Sequence, residues 1–202
     1  MLGGWGLHNL ELFNIALRMK SLWRGLLSQN IWSIILKDKY LKGCTVVDWF
    51  RRESHRSCNT SIIWQGFQEV KLWISKALVW QVGSGSSVRV DIDKFVRGDS
   101  SCCLSNQLIH ILHSKGYYTL DHIRSYSPER GHYWLGSTFF GLQEPMRSEW
   151  EAYLQALNKM GVVLSTQEDT ILWNLNKVDG MVITKSAFDH LSVHTFGPNL
   201  HR

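Results

Sequence analysis

"LVWQVGSGSSVRVDID", residues 78–93, decides the fold class. Upstream and downstream of it, apolar residues recur every three or four positions; within it they alternate. Val88, Val90 and Ile92 point one way and Arg89, Asp91 and Asp93 the other, beyond a Gly-Ser-Gly-Ser-Ser turn. Period-2 alternation on both sides of such a turn predicts a β-hairpin with one buried face. A chain that otherwise keeps a 3.6-residue period is therefore α+β, mainly helical. A second hairpin is expected at about 170–184, where "TILWNLN" and "MVIT" flank Asp179-Gly180, a strong turn dipeptide.

Working outward, Asn9 is an N-cap for a helix whose stripe is Leu12, Ile15, Ala16, Met19, Leu22, Trp23 and Leu26. A second helix is expected from Gln29 to Tyr40, stopping before Gly43. Residues 43–61 read as a basic loop. Ser61 caps a third helix with Ile63, Phe67, Val70 and Ile74 inward, and a fourth runs from Leu104 to Lys115, ended by Gly116. Residues 117–146, with three glycines and two prolines, read as a loop-rich linker. "SEWE" (148–151) is a capping box that opens a helix with Trp150, Tyr153, Leu154, Leu157 and Met160 on its stripe and Gly161 at its end. Thr184 caps a last helix to about Leu191, and 193–202 is a frayed tail. The segments are thus 1–60 (helical and basic), 61–116 (helix, hairpin, helix), the 117–146 linker, 147–192 (helix, hairpin, helix) and the tail.

The composition supports a packed core: 44% of the 202 residues are hydrophobic and 19% charged, and ten are tryptophan. The formal charge of +5 suits a polyanionic partner without demanding one. Cys44, Cys58, Cys102 and Cys103 form no disulfide framework, which points to an intracellular reducing compartment such as nucleus, cytoplasm or organelle. Arg18, Lys20 and Arg24 interrupt the first apolar stripe, so it is no signal peptide. No apolar run approaches the ~18 residues that span a bilayer.

The chemical motifs are weak. Gly3-Gly4-x-Gly6 lacks the Lys-Ser/Thr of a nucleotide loop and follows no strand. Asp91 and Asp93 share a strand face but have no third carboxylate placed beside them. His110 and His113 lie three apart on a helix downstream of Cys102 and Cys103, a spacing that fits no zinc template and leaves zinc binding open. Arg97-Gly98-Asp99 reads as a turn. No nucleophile elbow and no His-Glu-x-x-His occur, and no cofactor, metal site or small-molecule substrate is indicated. The basic residues form groups: Lys20 and Arg24 on the first helix; Lys37, Lys39 and Lys42 at the end of the second; Arg51, Arg52 and Arg56 in the loop. With Trp49, Phe50 and Trp64 among them they could line a phosphate backbone and stack on bases. A solvated face over core aromatics accounts for the same residues.

"GGWGLHNLELFNIALRMKSLWR" (3–24) resembles a block of plant LINE-type (non-LTR) retrotransposon reverse transcriptases that lies downstream of the polymerase core. "SIIWQGFQEVKLWISKALVWQVGSGSSVRVDID" (61–93) is similar to the next block, with Trp80, Val82, Gly83, Gly85, Ser87, Val88, Arg89 and Asp91 in the matching positions. "LSNQLIHILHSKGYYTLDHIR" (104–124) resembles the following linker. "DTILWNLNKVDGMVITKSAFDHL" (169–191) resembles the segment that leads into the family's zinc-binding module. The order holds from residue 3 to about 192. The resemblance implies a region beyond the thumb that supports template or primer binding.

Departures limit what carries over. The family's polymerase centre needs a Tyr-x-Asp-Asp for its two metals, and this sequence contains no Asp-Asp pair. Trp5 replaces an aliphatic residue, Ile92 and Asp93 replace a Pro-Trp, and Thr184 and Phe188 replace Val and Tyr. The expectation is a non-catalytic remnant cut from a polyprotein, with Met1 an opportunistic start, that binds RNA or DNA backbone weakly and without sequence preference. The alternative is a degenerate reading frame with no selected activity.

Overall fold

The computed structural model describes residues 9–52, 60–93, 95, 104–129, 131–176 and 178–196. The fold is mainly helical α+β with two small antiparallel two-stranded sheets. The described residues up to Leu78, together with those from Trp173 on, form one compact unit; Val79–Leu172 form the other.

In the first unit, α1 (Leu10–Leu27) starts where the Asn9 side chain accepts the amides of Glu11 and Leu12. Such a cap is worth about 1 kcal/mol. The expected stripe is the buried one, with Leu12, Ala16, Met19, Leu22, Trp23 and Leu26 inside; Ile15 is half-buried. α2 (Ile31–Leu36) is capped by Asn30 and runs on as a π-helical turn, Lys37–Leu41. Lys42, at φ 48°, and Gly43 stop it. Between α1 and α2 the chains approach closely: a Cβ on Gly25 would stand 2.9 Å from the Leu36 side chain.

The expected 43–61 loop contains a helix, α3 (Val46–Arg51). Thr45 and Asp48 form a reciprocal start: the Asp48 amide donates to Thr45 Oγ1 (3.0 Å) and that hydroxyl donates to the Asp48 carboxylate (2.8 Å). α4 (Ile62–Lys76) is capped by Ser61 as expected, and Phe67, Val70 and Ile74 face inward as expected, with Trp64 in place of Ile63. Trp64, Phe67, Val70, Lys71 and Ile74 are buried, and Ile63 is exposed. α8 (Thr184–Phe196) packs along α1, which also packs on α2 and α4. Residues 193–196 are therefore helical and not part of a frayed tail; 197–202 lie outside the described residues.

The chain leaves the first unit within β1 (Leu78–Gln81) and returns within β4 (Thr170–Trp173), and these two strands pair with each other. Among the described residues the 78–93 stretch does not close on itself, whereas in the 170–184 stretch the Trp173 N–H donates to the Gly180 carbonyl across the turn. After β1 the Gly-Ser turn leads away, so that Arg89 forms an antiparallel bridge with Thr119. Val88 and Val90 are buried as expected, whereas Ile92 is exposed. Near 179–180 the turn is present, with Gly180 at φ 69°, but the arm after it is not a strand. The local reason is Asp179, whose carboxylate binds the Asn176 amide and the Met181 N–H and curls the chain tightly.

The second unit holds α5 (Asn106–Ser114), capped by Ser105 and ended by Gly116 at φ 84°. The expected 117–146 linker carries a β-hairpin, β2 (Arg124–Ser127) with β3 (Gly131–Trp134), and a short helix, α6 (Ser137–Phe140). α7 (Met146–Lys159) packs on α5 and α6. The Ser148–Glu151 capping box does not form, because the helix begins two residues earlier. Ser148 donates to Glu144 (2.6 Å), and Glu151 accepts the Ser137 hydroxyl (2.5 Å). Trp150, Tyr153 and Leu157 fill the core; Trp150 donates to the Leu135 carbonyl at 2.9 Å, and Met160 is exposed.

Candidate nucleic-acid interface

Seven of the eight candidate basic residues are described, and all seven belong to the first unit; Arg56 lies outside the described residues. None of the seven is buried. Lys20 and Arg24 flank the buried stripe of α1. Lys37 and Lys39 sit on the π-helical turn and Lys42 on its left-handed stop. Arg51 and Arg52 end α3, which packs on that same turn and on α4. The helix C-termini here also carry the partial negative charge that cations favour. Arg51 reaches the Asp48 carboxylate at 3.1 Å. The Thr45 hydroxyl, followed by Arg51 and Arg52, holds the Asp48 carboxyl below the ordinary carboxylate value.

The aromatic residues expected to stack on bases stack on one another instead. Trp64 is buried and lies face to face with Tyr40, ring centroids 4.3 Å apart; Trp49 tilts against it at 5.3 Å and touches Phe50, which is buried too. The ammonium of Lys71 lies 4.7 Å over the Trp49 ring and donates to the Arg52 carbonyl at 2.6 Å. Burial pushes the Lys71 ammonium below the ordinary lysine value. Lys71 thus ties α4 to the end of α3. No pattern in the sequence marks it, since a lysine one position after Val70 reads as solvent-facing.

A groove of about 490 Å³ opens between α1, α2 and α4. Leu17, Trp32, Ile62 and Ile63 line it with Arg18, which bridges to Glu69 at 2.8 Å. Sequence reasoning missed this face because Ile63 reads as core.

Asp91 and Asp93 do not form a cation cage. Asp91 takes both the Nε (3.0 Å) and Nη2 (2.5 Å) of Arg89, with His113 Nε2 at 3.5 Å, and Asp93 accepts the Arg89 amide at 2.7 Å. His110 is exposed while His113 is half-buried against Tyr118. Cys102 and Cys103 lie outside the described residues, as do the opening glycines and Arg97-Gly98-Asp99. Among the described residues no three His, Cys, Asp or Glu side chains converge as a metal site. No helix among them is long and apolar enough to cross a membrane.

No family model, no curated protein and no solved structure matches this chain.

Proposed function

We propose that this chain is a non-catalytic remnant of a non-LTR retrotransposon reverse transcriptase whose first unit binds RNA or DNA backbone without sequence preference. The observation that carries the binding is the placement of Lys20, Arg24, Lys37, Lys39, Lys42, Arg51 and Arg52 on consecutive packed elements of one unit, none of them buried. Cations that neutralise phosphates release counterions, which supplies affinity without reading bases. Trp49, Phe50 and Trp64, aromatic residues among these elements, pack on one another, which favours backbone contact over base contact. The family assignment rests on the four ordered sequence blocks. The lack of catalysis rests on the absence of adjacent aspartates, without which the two-metal activation of a primer end has no ligands.

Filter binding of single-stranded RNA and of duplex DNA at low ionic strength tests the binding: retention of both, independent of sequence, is expected, and no retention of either overturns it. Primer extension with Mg²⁺ and nucleotides tests the second half. No incorporation is expected, and incorporation by the purified chain overturns it.

A further inference from the structure

We infer that the β2–β3 hairpin of the second unit is a separate site for unpaired nucleobases, which rests on the nucleic-acid reading above but assigns base contact to different residues. In this register Arg124 faces Trp134 and Tyr126 faces His132 across the ribbon. Cross-strand partners share a face, so these four side chains stand together. Arg124, His132 and Trp134 line a groove of about 430 Å³ with Tyr133, and with Leu154 and Asn158 of α7; Val162, Val163 and Leu164 complete it. That volume lies within the range of sites that hold a small planar ligand.

The chemistry of the lining selects the ligand class. Two aromatic rings, His132 and Trp134, share a face with Arg124, and His132 is exposed. The Tyr126 ring, 63% exposed, extends the platform beyond His132, the two centroids 5.1 Å apart. Core aromatics elsewhere in this unit are enclosed: Trp150 stacks on Tyr153 and both are buried. The hairpin rings are not enclosed in this way, and they lie on a ribbon that pairs with no third strand among the described residues. Arg124 is held by Asp121 at 3.3 Å, which orients its guanidinium without closing the groove. The described residues of the lining include no carboxylate of their own, and Asp121 reaches the groove only through its pair with Arg124. Asn158 supplies an amide donor and acceptor for a base edge. Stacking on such rings tolerates every base, because each has a π-face.

The test compares a short oligothymidylate with an abasic strand of equal length and charge, each dye-labelled, by fluorescence anisotropy on the full chain. The wild type is expected to bind the base-bearing strand about fivefold or more tightly, the equivalent of one stacked base. Trp134→Ala should abolish that preference and leave abasic affinity unchanged. Because Trp134 is half-buried, Tyr126→Ala and His132→Ala, at exposed positions on the same face, are measured beside it and should each halve the preference or more. Equal affinity for both strands, or a preference that survives all three variants, overturns this inference alone. Loss of binding to both strands by the wild type overturns it together with the backbone reading.

Discussion

The carboxylate of Asp169 accepts the backbone amide of Gly85 at 2.8 Å, across a sequence separation of 84 residues. It also accepts Gly83 N–H at 2.7 Å and Ser87 N–H at 2.9 Å. Three successive alternate amides curl around one anion, as in the backbone nests that bind phosphate. This contact joins the start of the second unit to its end and explains why the Gly-Ser turn does not fold back onto β1.

Replacement of Asp169 by alanine should therefore destabilise the protein by about 2–3 kcal/mol, since hydrogen bonds to a charged group are stronger than neutral ones and the amides lose their acceptor. Asp169→Asn keeps one oxygen and should cost about half as much. Urea midpoints measure the size, and amide exchange gives the location: Gly83, Gly85 and Ser87 should exchange faster in both variants.

The glycines of this chain should rank by what surrounds them. A Cβ on Gly83 would stand 2.4 Å from the Gln167 carbonyl oxygen, a backbone atom that cannot rotate away. Gly116 has φ +84° and nothing within 4 Å. Gly116→Ala should cost about 1 kcal/mol, from left-handed strain alone. Gly83→Ala should cost more, about 2–3 kcal/mol, from overpacking. Equal costs in chemical denaturation would contradict the observed crowding at Gly83.

Helix positions were largely legible in the sequence, and strand partners were not. Asn9 and Ser61 announce helix starts within three residues, which is a local signal. Thr45 and Asp48 carry the same signal, but it sits in a polar, basic stretch that composition alone marks as a loop. Ser148 was misread because Glu144, one turn earlier, competes for its hydroxyl. β1 pairs with a strand some 90 positions away through Asp169, and no local pattern encodes that choice. The basic residues of the candidate interface were visible as charges. The hairpin groove was not, because Arg124–Trp134 does not alternate apolar with polar.

His190 should make the first unit lose stability in acid. Its ring lies between Trp73 and Trp173, centroids 6.2 and 5.9 Å away, with His194 at 4.4 Å. Burial first, then the charges of His194 and Lys76, hold its pKa below the ordinary 6.5. The unfolded chain then binds more protons than the folded one between that lowered value and 6.5. Stability should fall as pH drops through that window and level off below it. His190→Gln should flatten this part of the profile in thermal melts across pH 4–8.

Lys71 titrates in the same sense at the alkaline end. Its folded pKa lies below 10.5 because burial disfavours the ammonium, so stability should rise as pH climbs toward 10.5. Lys71→Met keeps the stem beside Trp49, removes the buried charge, and should abolish that rise. Lys71→Ala leaves a cavity as well, and should be the less stable variant by about 1–3 kcal/mol. Guanidinium-free urea melts at neutral and alkaline pH separate the two effects.

The most direct measurement for the binding account is the affinity for single-stranded RNA across a salt series, for the wild type and for Lys37→Ala/Lys39→Ala/Lys42→Ala. If about four phosphates are neutralised, log affinity should fall against log salt with a slope near −3, at ~0.7 per single-strand contact. The triple variant should bind more weakly at low salt and lose about two of that slope. A wild-type affinity that does not change with salt, or a triple variant with the wild-type slope, contradicts the assignment of these side chains to a phosphate backbone.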